Sequence, residues 1–132
     1  MDALTNIYNR YGFDTLAERM IAKNPRNHYI AALLDVDNFK LINDVYGHAY
    51  GDRTLKNLAD SMKKFFPSDV LLGRNGGDEF CVILYNCPYE MAERKIRKIQ
   101  KEFSSGQTKE YPKSFSCGIV EVEGGNEELQ VR

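Results

Sequence analysis

The spacing of hydrophobic residues at the start of the chain predicts a helix followed by a buried strand. The helix is predicted from four apolar residues at the i, i+3, i+4, i+7 spacing of one packed face: Phe13, Leu16, Ala17 and Met20. Residues 24–27 include proline and asparagine, which end it. Residues 29–34 are a nearly continuous apolar run, which predicts a central strand buried on both faces. The polar residues at 2–10 predict a structured lead-in.

Three more helices and a strand are predicted farther along. Residues 38–46 indicate a short helix that Gly47 closes. After Gly51, a helix that ends at Pro67 is predicted from the inward-facing residues Leu55, Leu58, Ala59, Met62 and Phe65. Another begins at Pro88 and buries Ala92, Ile96, Ile99 and Phe103. The remaining segments are a loop at 104–108, a last strand at 114–122, a polar turn at 123–128 and the beginning of a helix at 129–132.

Between the last two of these helices, the sequence predicts a β-hairpin. Residues 70–72 and 80–84 are strand-like, and residues 75–77 (Asn-Gly-Gly) tolerate the positive φ of a tight turn. Asp78 and Glu79 follow, where a hairpin arm begins. Adjacent carboxylates repel, so a site that keeps both near an apolar core usually offers them a cation. The alternative is a polar turn that leads into a core strand.

The order of these elements predicts the fold class. A strand, two helices, a hairpin, a helix and a strand form a βα(α)ββαβ pattern, which is typical of an α+β domain with a ferredoxin-like antiparallel sheet and helices on one face. In that topology the first strand neighbours the hairpin. Asp35, at the end of this strand, would then meet Asp78 and Glu79. These carboxylates and the Val36 carbonyl suit Mg²⁺ better than zinc, and such metal sites catalyse phosphoryl or nucleotidyl transfer.

Composition places limits on the ligand. The chain has 132 residues, the size of one domain, and a net charge of −1, which argues against bulk electrostatic binding to nucleic acid or to an anionic membrane. A nucleotide must therefore be held locally. The three cysteines, Cys81, Cys87 and Cys117, lack metal-type pairing and predict reduced thiols. With no signal peptide and no bilayer-length apolar run, a cytoplasmic location is expected, although a longer parent protein could carry a membrane anchor.

Several motifs in the right order resemble the GGDEF family of diguanylate cyclases. They are residues 35–44, Gly47-His48, Gly51-Asp52 and residues 74–80. Residues 2–10 are similar to the family's opening motif, with Asn6 where glycine is usual, and residues 116–119 are similar to its late strand. The resemblance implies a fold similar to the palm of nucleotidyl cyclases and polymerases. It also implies a single domain over residues 1–132.

The resemblance implies roles for the carboxylates. Asp35, the Val36 carbonyl and Asp78 would hold Mg²⁺ (or Mn²⁺) bridging the phosphates of GTP. Asp78, with Glu79 beside it, would help to deprotonate the attacking 3′-hydroxyl. Asp37 has two possible roles: we prefer a helix N-cap over a metal ligand. Arg74 would pair either with a carboxylate of the site or with phosphate.

The resemblance also implies substrate contacts and partners. Lys40 would stabilise charge on the phosphates, and Asn43 and Asp52 would bind guanine. His48 would contact substrate or close the turn. Two GTP would become cyclic di-GMP with release of pyrophosphate, in a homodimer with facing active sites. Signalling domains in a parent chain are expected, whereas nucleic acid and direct membrane contact are not.

Two departures from the family pattern concern activity. The family's product-inhibition site uses an Arg-x-x-Asp upstream of the hairpin, but residues 65–70 contain no arginine, so no feedback inhibition through that site is expected. The family's final helix and strand, which carry a phosphate-binding lysine and arginine, are not matched. An alternative function is therefore a catalytically idle GTP-binding module that regulates an attached domain.

Overall fold

A five-stranded sheet with helices on both faces forms the described part of the chain. The computed structural model describes residues 1–66, 70–105 and 113–123. The strands there are β1 (Tyr8–Asn9), β2 (His28–Val36), β3 (Leu71–Gly76), β4 (Glu79–Tyr85) and β5 (Phe115–Glu123). The helices are α1 (Arg10–Lys23), α2 (Phe39–Tyr46), α3 (His48–Phe65) and α4 (Tyr89–Ser105). Pro67, Asp69, residues 106–108 and residues 124–132, for which predictions were made, lie outside the described residues.

The strand order confirms the predicted ferredoxin-like α+β fold. The order is β1-β3-β4-β2-β5, with β2 antiparallel to both β4 and β5, and β3 antiparallel to β4. The sheet is mixed because β1, part of the predicted lead-in, runs parallel to β3. The lead-in turns at Asn6, whose φ of 58° is left-handed. Asparagine tolerates this conformation, which explains how Asn6 replaces the family's usual glycine.

The helices cover both faces of the sheet, so the expectation of helices on one face is wrong. Ile30 and Leu34 of β2 belong to the core shared with α3 and α4. On the opposite face, α1 packs through Phe13 and its neighbours in a second core. Gly73 of β3 permits this contact, because a Cβ there would lie 2.7 Å from Cδ2 of Phe13.

The central strand β2 is buried on both faces only in its first half. On the α1 face Tyr29 is fully buried, and its hydroxyl donates hydrogen bonds to the carbonyls of Met20 at 3.2 Å and Asn24 at 2.7 Å. Four residues farther along the strand, on the same face, Leu33 is 57% exposed. The prediction of full burial is therefore wrong for the second half, where α1 no longer covers the sheet.

Two glycines define the helix pair α2 and α3. Gly47 ends α2 as predicted: its φ is 88°, and its N–H donates to the Asn43 carbonyl at 2.9 Å. However, α3 already begins at His48, so Gly51 lies inside this helix rather than before it. Gly51 is buried, because α2 packs directly against α3 at this point.

The described cysteines agree with the prediction of reduced thiols. Cys81, Cys87 and Cys117 are free, and burial raises the pKa of Cys81 to about 12 and that of Cys117 to about 11. Both thiols are therefore protonated at neutral pH. Within residues 1–66, 70–105 and 113–123, no helix has the length and apolar character that crossing a bilayer requires.

Candidate functional site

The end of β2 meets the tip of the hairpin, as the topology predicts. Asp35 is the register partner of Glu79, and the N–H of Val36 donates to the Asp78 carbonyl at 3.2 Å. The hairpin turns one residue later than predicted. β3 continues to Gly76 through an irregular register after Arg74, so Asp78 lies in the turn itself rather than on the arm. Positive φ at Gly76 (116°) and Gly77 (53°) makes this turn possible.

The carboxyl groups of Asp35 and Asp78 are close enough to share a hydrogen bond. That bond, followed by partial burial and the negative charges of Asp78, Glu79 and Asp37, raises the pKa of Asp35 to about 6. Two carboxyl groups this close repel each other when both are ionised, so Asp35 keeps its proton to a higher pH than an isolated aspartate does. A bound cation would replace that proton and favour both ionised forms.

The donors at this point fit a hard divalent cation. Carboxylate oxygens of Asp35 and Asp78 and the backbone carbonyl of Val36 are the oxygen ligands that Mg²⁺ takes, with water or phosphate completing the shell. Among the described residues, no group of three or more His, Cys, Asp and Glu side chains is arranged to hold a metal ion. Two carboxylates and one carbonyl would supply three of the six ligands of an octahedral Mg²⁺, and substrate phosphates and water would supply the others.

The predicted substrate residues lie on the helix pair that follows β2. Lys40 of α2 is exposed, and so are His48 and Asp52 in the first two turns of α3. Asn43 is half-buried, and its Oδ1 occupies the space that a Cβ of Gly51 would require. Gly51 thus allows the Asn43 side chain to lie against α3, next to Asp52. The sequence pattern, which predicts the helix only after Gly51, gives no sign of this contact.

Arg74 pairs with the carboxylate of Asp2 rather than with a carboxylate of the predicted metal site. Its guanidinium donates to both carboxylate oxygens of Asp2 at 3.2 Å, and to the Gly77 carbonyl at 2.9 and 2.8 Å. Burial acts to raise the pKa of Asp2, but hydrogen bonds from Thr5 and Arg74 outweigh it and hold this pKa below its usual value. Arg74 therefore ties the lead-in to the hairpin turn.

Asp37 is not the N-cap of α2, so that prediction is wrong. Asn38 precedes the helix with a left-handed φ of 57° and makes no side-chain capping bond. The Asp37 carboxylate instead accepts hydrogen bonds from Ser114 at 2.7 Å and Ser116 at 2.6 Å. Sequence reasoning missed both serines as partners because they lie 77 and 79 residues away. The only signal was that Ser116 opens the motif similar to the family's late strand.

Phe80 is a core residue, and Phe39 packs against the same core. Phe80 is fully buried, and Phe39 is partly buried against the same core as Ile42. Glu79 is adjacent to Phe80 along the chain, and Lys40 is adjacent to Phe39. Burial of each aromatic ring therefore keeps the neighbouring charged residue at the surface. The hairpin and α2 thus present their polar side chains at one end of the sheet.

The sheet order and helix placement define a palm-like α+β domain of the nucleotidyl cyclase type. Comparison with known families identifies it further: the model of the family described as "Diguanylate cyclase, GGDEF domain" matches residues 1–131. The chain belongs to the GGDEF family.

Relatives and solved structures agree with this assignment. The chain is 36% identical over 126 residues to the "Probable diguanylate cyclase DgcT" of Escherichia coli K12, covering 92% of this chain and 28% of the relative. It is 34% identical over 123 residues to "Cyclic di-GMP phosphodiesterase PdeR" of the same organism, covering 90% of this chain and 18% of the relative. The chain thus spans less than a third of these two curated relatives.

A solved structure matches most of the fold. The GGDEF domain of DgcB from Caulobacter crescentus, crystallised in complex with c-di-GMP, superposes with a TM-score of 0.89 at 28% identity. The match covers 96% of this chain and 79% of the DgcB chain. The palm-like architecture is therefore shared over nearly all of the chain.

Proposed function

We propose that this chain is a diguanylate cyclase domain, which condenses two GTP into cyclic di-GMP and releases pyrophosphate. The observation that carries the proposal is the contact of the Asp35 and Asp78 carboxyl groups where β2 meets the hairpin tip. The names of DgcT and of the DgcB complex with c-di-GMP support the reaction and the product.

Asp35, Asp78 and the Val36 carbonyl would hold Mg²⁺ or Mn²⁺. When bound, the ion supplies positive charge against the GTP phosphates and makes the 3′-hydroxyl more acidic. Asp78, with Glu79 adjacent to it, accepts the proton of that hydroxyl. The 3′-oxygen then forms a bond to the α-phosphorus of the second GTP, and the bond to pyrophosphate breaks.

Residues of α2 and α3 would bind the rest of the nucleotide. Lys40 places an ammonium group against the phosphates, where negative charge moves to the leaving group. The Asp52 carboxylate accepts from N1–H and the 2-amino group of guanine, a donor pair that adenine lacks, and Asn43 adds a hydrogen bond. His48, at the first turn of α3, contacts the substrate.

Two copies of the domain would be required. Each binds one GTP, and each 3′-hydroxyl attacks the nucleotide of the other copy, so a homodimer with facing sites completes the reaction. Because the chain covers 28% of DgcT, we further infer a longer parent protein in which signalling domains control this dimer.

A GTP-binding regulatory module without turnover is the second candidate. PdeR favours this candidate. The segment of PdeR that is 34% identical to this chain over 123 residues belongs to a protein named as a phosphodiesterase. In such a module the site would bind GTP and control an attached domain.

Incubation with GTP and Mg²⁺ separates the two candidates. The protein is expected to produce cyclic di-GMP and two pyrophosphates per product, detected by chromatography, and chelation of the metal should stop it. Lys40→Met should lower kcat by about a hundredfold, the typical cost of losing one transition-state charge contact.

Lys56→Met is the matched control, because Lys56 is an exposed lysine of α3 outside the proposed site. It should leave turnover unchanged. Tight GTP binding in wild-type protein without product would contradict the cyclase and favour the regulatory module.

A further inference from the structure

Asp37 fastens the exit of β2 to β5, and the proposed reaction gives this residue no role. Three hydrogen bonds join Asp37 to Ser114 and Ser116. The Asp37 carboxylate accepts from Ser114 at 2.7 Å and from Ser116 at 2.6 Å, and the Asp37 N–H donates to the Ser114 carbonyl at 2.9 Å. We call these three residues the Asp37 clamp.

The clamp fixes the path of the backbone after β2, and its polar groups do not need these bonds to compensate for burial. Ser114 and Ser116 are exposed and Asp37 is half-buried, so water would satisfy their hydrogen-bonding groups if they were apart. A carboxylate accepts two hydroxyl groups at once, and bonds to an ionised acceptor are shorter and stronger than neutral ones. The consequence of the clamp is therefore a fixed path for the chain between β2 and α2.

The peptide that the clamp fixes carries the Val36 carbonyl. On one side, the Val36 N–H donates to Asp78 at 3.2 Å; on the other, the Asp37 N–H donates to Ser114 at 2.9 Å. The peptide bond between Val36 and Asp37 is planar and trans, so its C=O points opposite to its N–H. With the N–H held toward β5, the Val36 carbonyl points away from β5, toward the side where Asp78 lies.

We propose that Asp37 is a positioning residue, which with Ser114 and Ser116 directs the Val36 carbonyl toward the cation held by Asp35 and Asp78. This inference rests on the proposed function, because it requires a metal at that point. Asp37 itself is not a ligand: its two oxygens bind the serine hydroxyls. Residues that orient metal ligands in this way strongly affect metal affinity.

The test removes the two hydroxyls without touching a proposed ligand or a charge. Binding of Mn²⁺ together with α,β-methylene GTP is measured by electron paramagnetic resonance in wild-type protein and in the double variant Ser114→Ala/Ser116→Ala. The Mn²⁺ dissociation constant should rise by about 10- to 100-fold in the double variant. Ser105→Ala, which removes an exposed hydroxyl at the end of α4, is the control and should bind as wild type does.

Conservative variants separate positioning from ligation. Ser114→Thr/Ser116→Thr keeps both hydroxyls and should restore wild-type affinity. Asp37→Asn accepts from one serine and donates to the other, so it should weaken Mn²⁺ less than the double alanine variant does. The reverse order, with Asp37→Asn the weakest binder and the alanine variant near wild type, would make Asp37 a ligand and overturn the proposal.

Hydrogen exchange tests the clamp without metal. In the double alanine variant, the Asp37 amide should exchange faster, while the melting temperature reports whether the protein remains folded. Unchanged exchange, or unchanged Mn²⁺ affinity, would overturn the positioning role alone. Failure of wild-type protein to bind Mn²⁺ with the analogue would overturn the metal site of the proposed function, and this inference with it.

Discussion

The two ends of the central strand β2 are built for different purposes. At its beginning Tyr29 is fully buried, and its hydroxyl is bonded to two carbonyls of the α1 terminus. At its end, on the same face, Leu33 is 57% exposed and the carboxyl of Asp35 meets that of Asp78. At one end a buried hydroxyl has protein partners beneath a helix, whereas the other end keeps two carboxyl groups together at the exposed end of the sheet.

Nine residues of one strand thus join a stabilising contact to the proposed metal site. The paired end contributes to the free energy of unfolding because its groups have protein partners in the folded state. The open end opposes folding through carboxylate repulsion, which either a proton or a bound cation relieves. Substitutions at the two ends should therefore have opposite effects on stability and activity.

The largest expected effect belongs to Asp78→Asn. If the open end is the catalytic one, cyclase activity should fall by at least about a hundredfold, since an oxygen ligand and proton acceptor are lost together. Its stability should not fall. Product formation and urea unfolding measure the two, with Asp60→Asn, an exposed aspartate on α3, as the control. Wild-type turnover in Asp78→Asn would contradict the assignment of catalysis to the open end of β2.

A smaller effect, on stability, is expected for Tyr29→Phe at the paired end. The Asn24 carbonyl loses the donor at 2.7 Å, and the free energy of unfolding should fall by about 1–3 kcal/mol. Turnover per folded molecule should stay the same. Urea titration checks this, with Tyr11→Phe as the matched control because Tyr11 is 80% exposed. A large loss of kcat without a loss of stability would contradict the assignment of this end.

The smallest effect is a pH-dependent gain in stability for Asp35→Asn without metal. The pKa of Asp35 is about 6 in the folded protein, above the ordinary value of 3.8, so the folded state holds the proton more tightly. As pH rises from about 4 to about 6, wild-type protein loses stability that the amide variant keeps. The melting-temperature difference should be small at pH 4 and reach its maximum above pH 6.

Adding Mg²⁺ should reverse this difference, because the ion stabilises only the carboxylate form. A variant that is no more stable than wild type at pH 8 without metal would show that Asp35 and Asp78 do not repel each other.

Local patterns in the sequence predict the elements of this fold well, because helix periodicity, apolar runs and glycine positions act over a few residues. The helix over α4 and the closure of α2 by Gly47 follow from such patterns. The contact between Asp35 and Asp78 also follows, once the strand order places β2 beside the hairpin. Their roles in catalysis, like those of Lys40 and Glu79, stay predictions.

Sequence patterns do not show which residues, far apart along the chain, contact one another in the folded protein. Asp37 has the spacing of an N-cap, but its carboxylate accepts hydrogen bonds from Ser114, just before β5, and from Ser116 within β5. Leu33 belongs to a run typical of full burial, yet its exposure depends on where α1 stops covering the sheet. Gly51 allows a contact with Asn43 that becomes evident only when the two helices are packed.

The bidentate contact between Arg74 and Asp2 has a consequence for how this sequence can vary. The two side chains are only 16% and 21% exposed, and 72 positions separate them along the chain. Changing either one alone leaves a partly buried charge without its counterpart, and lysine cannot reproduce the fork that holds Asp2 and Gly77 together. Homologous chains should therefore conserve this pair or exchange both members jointly, a covariation linking the start of the domain to the turn of its hairpin.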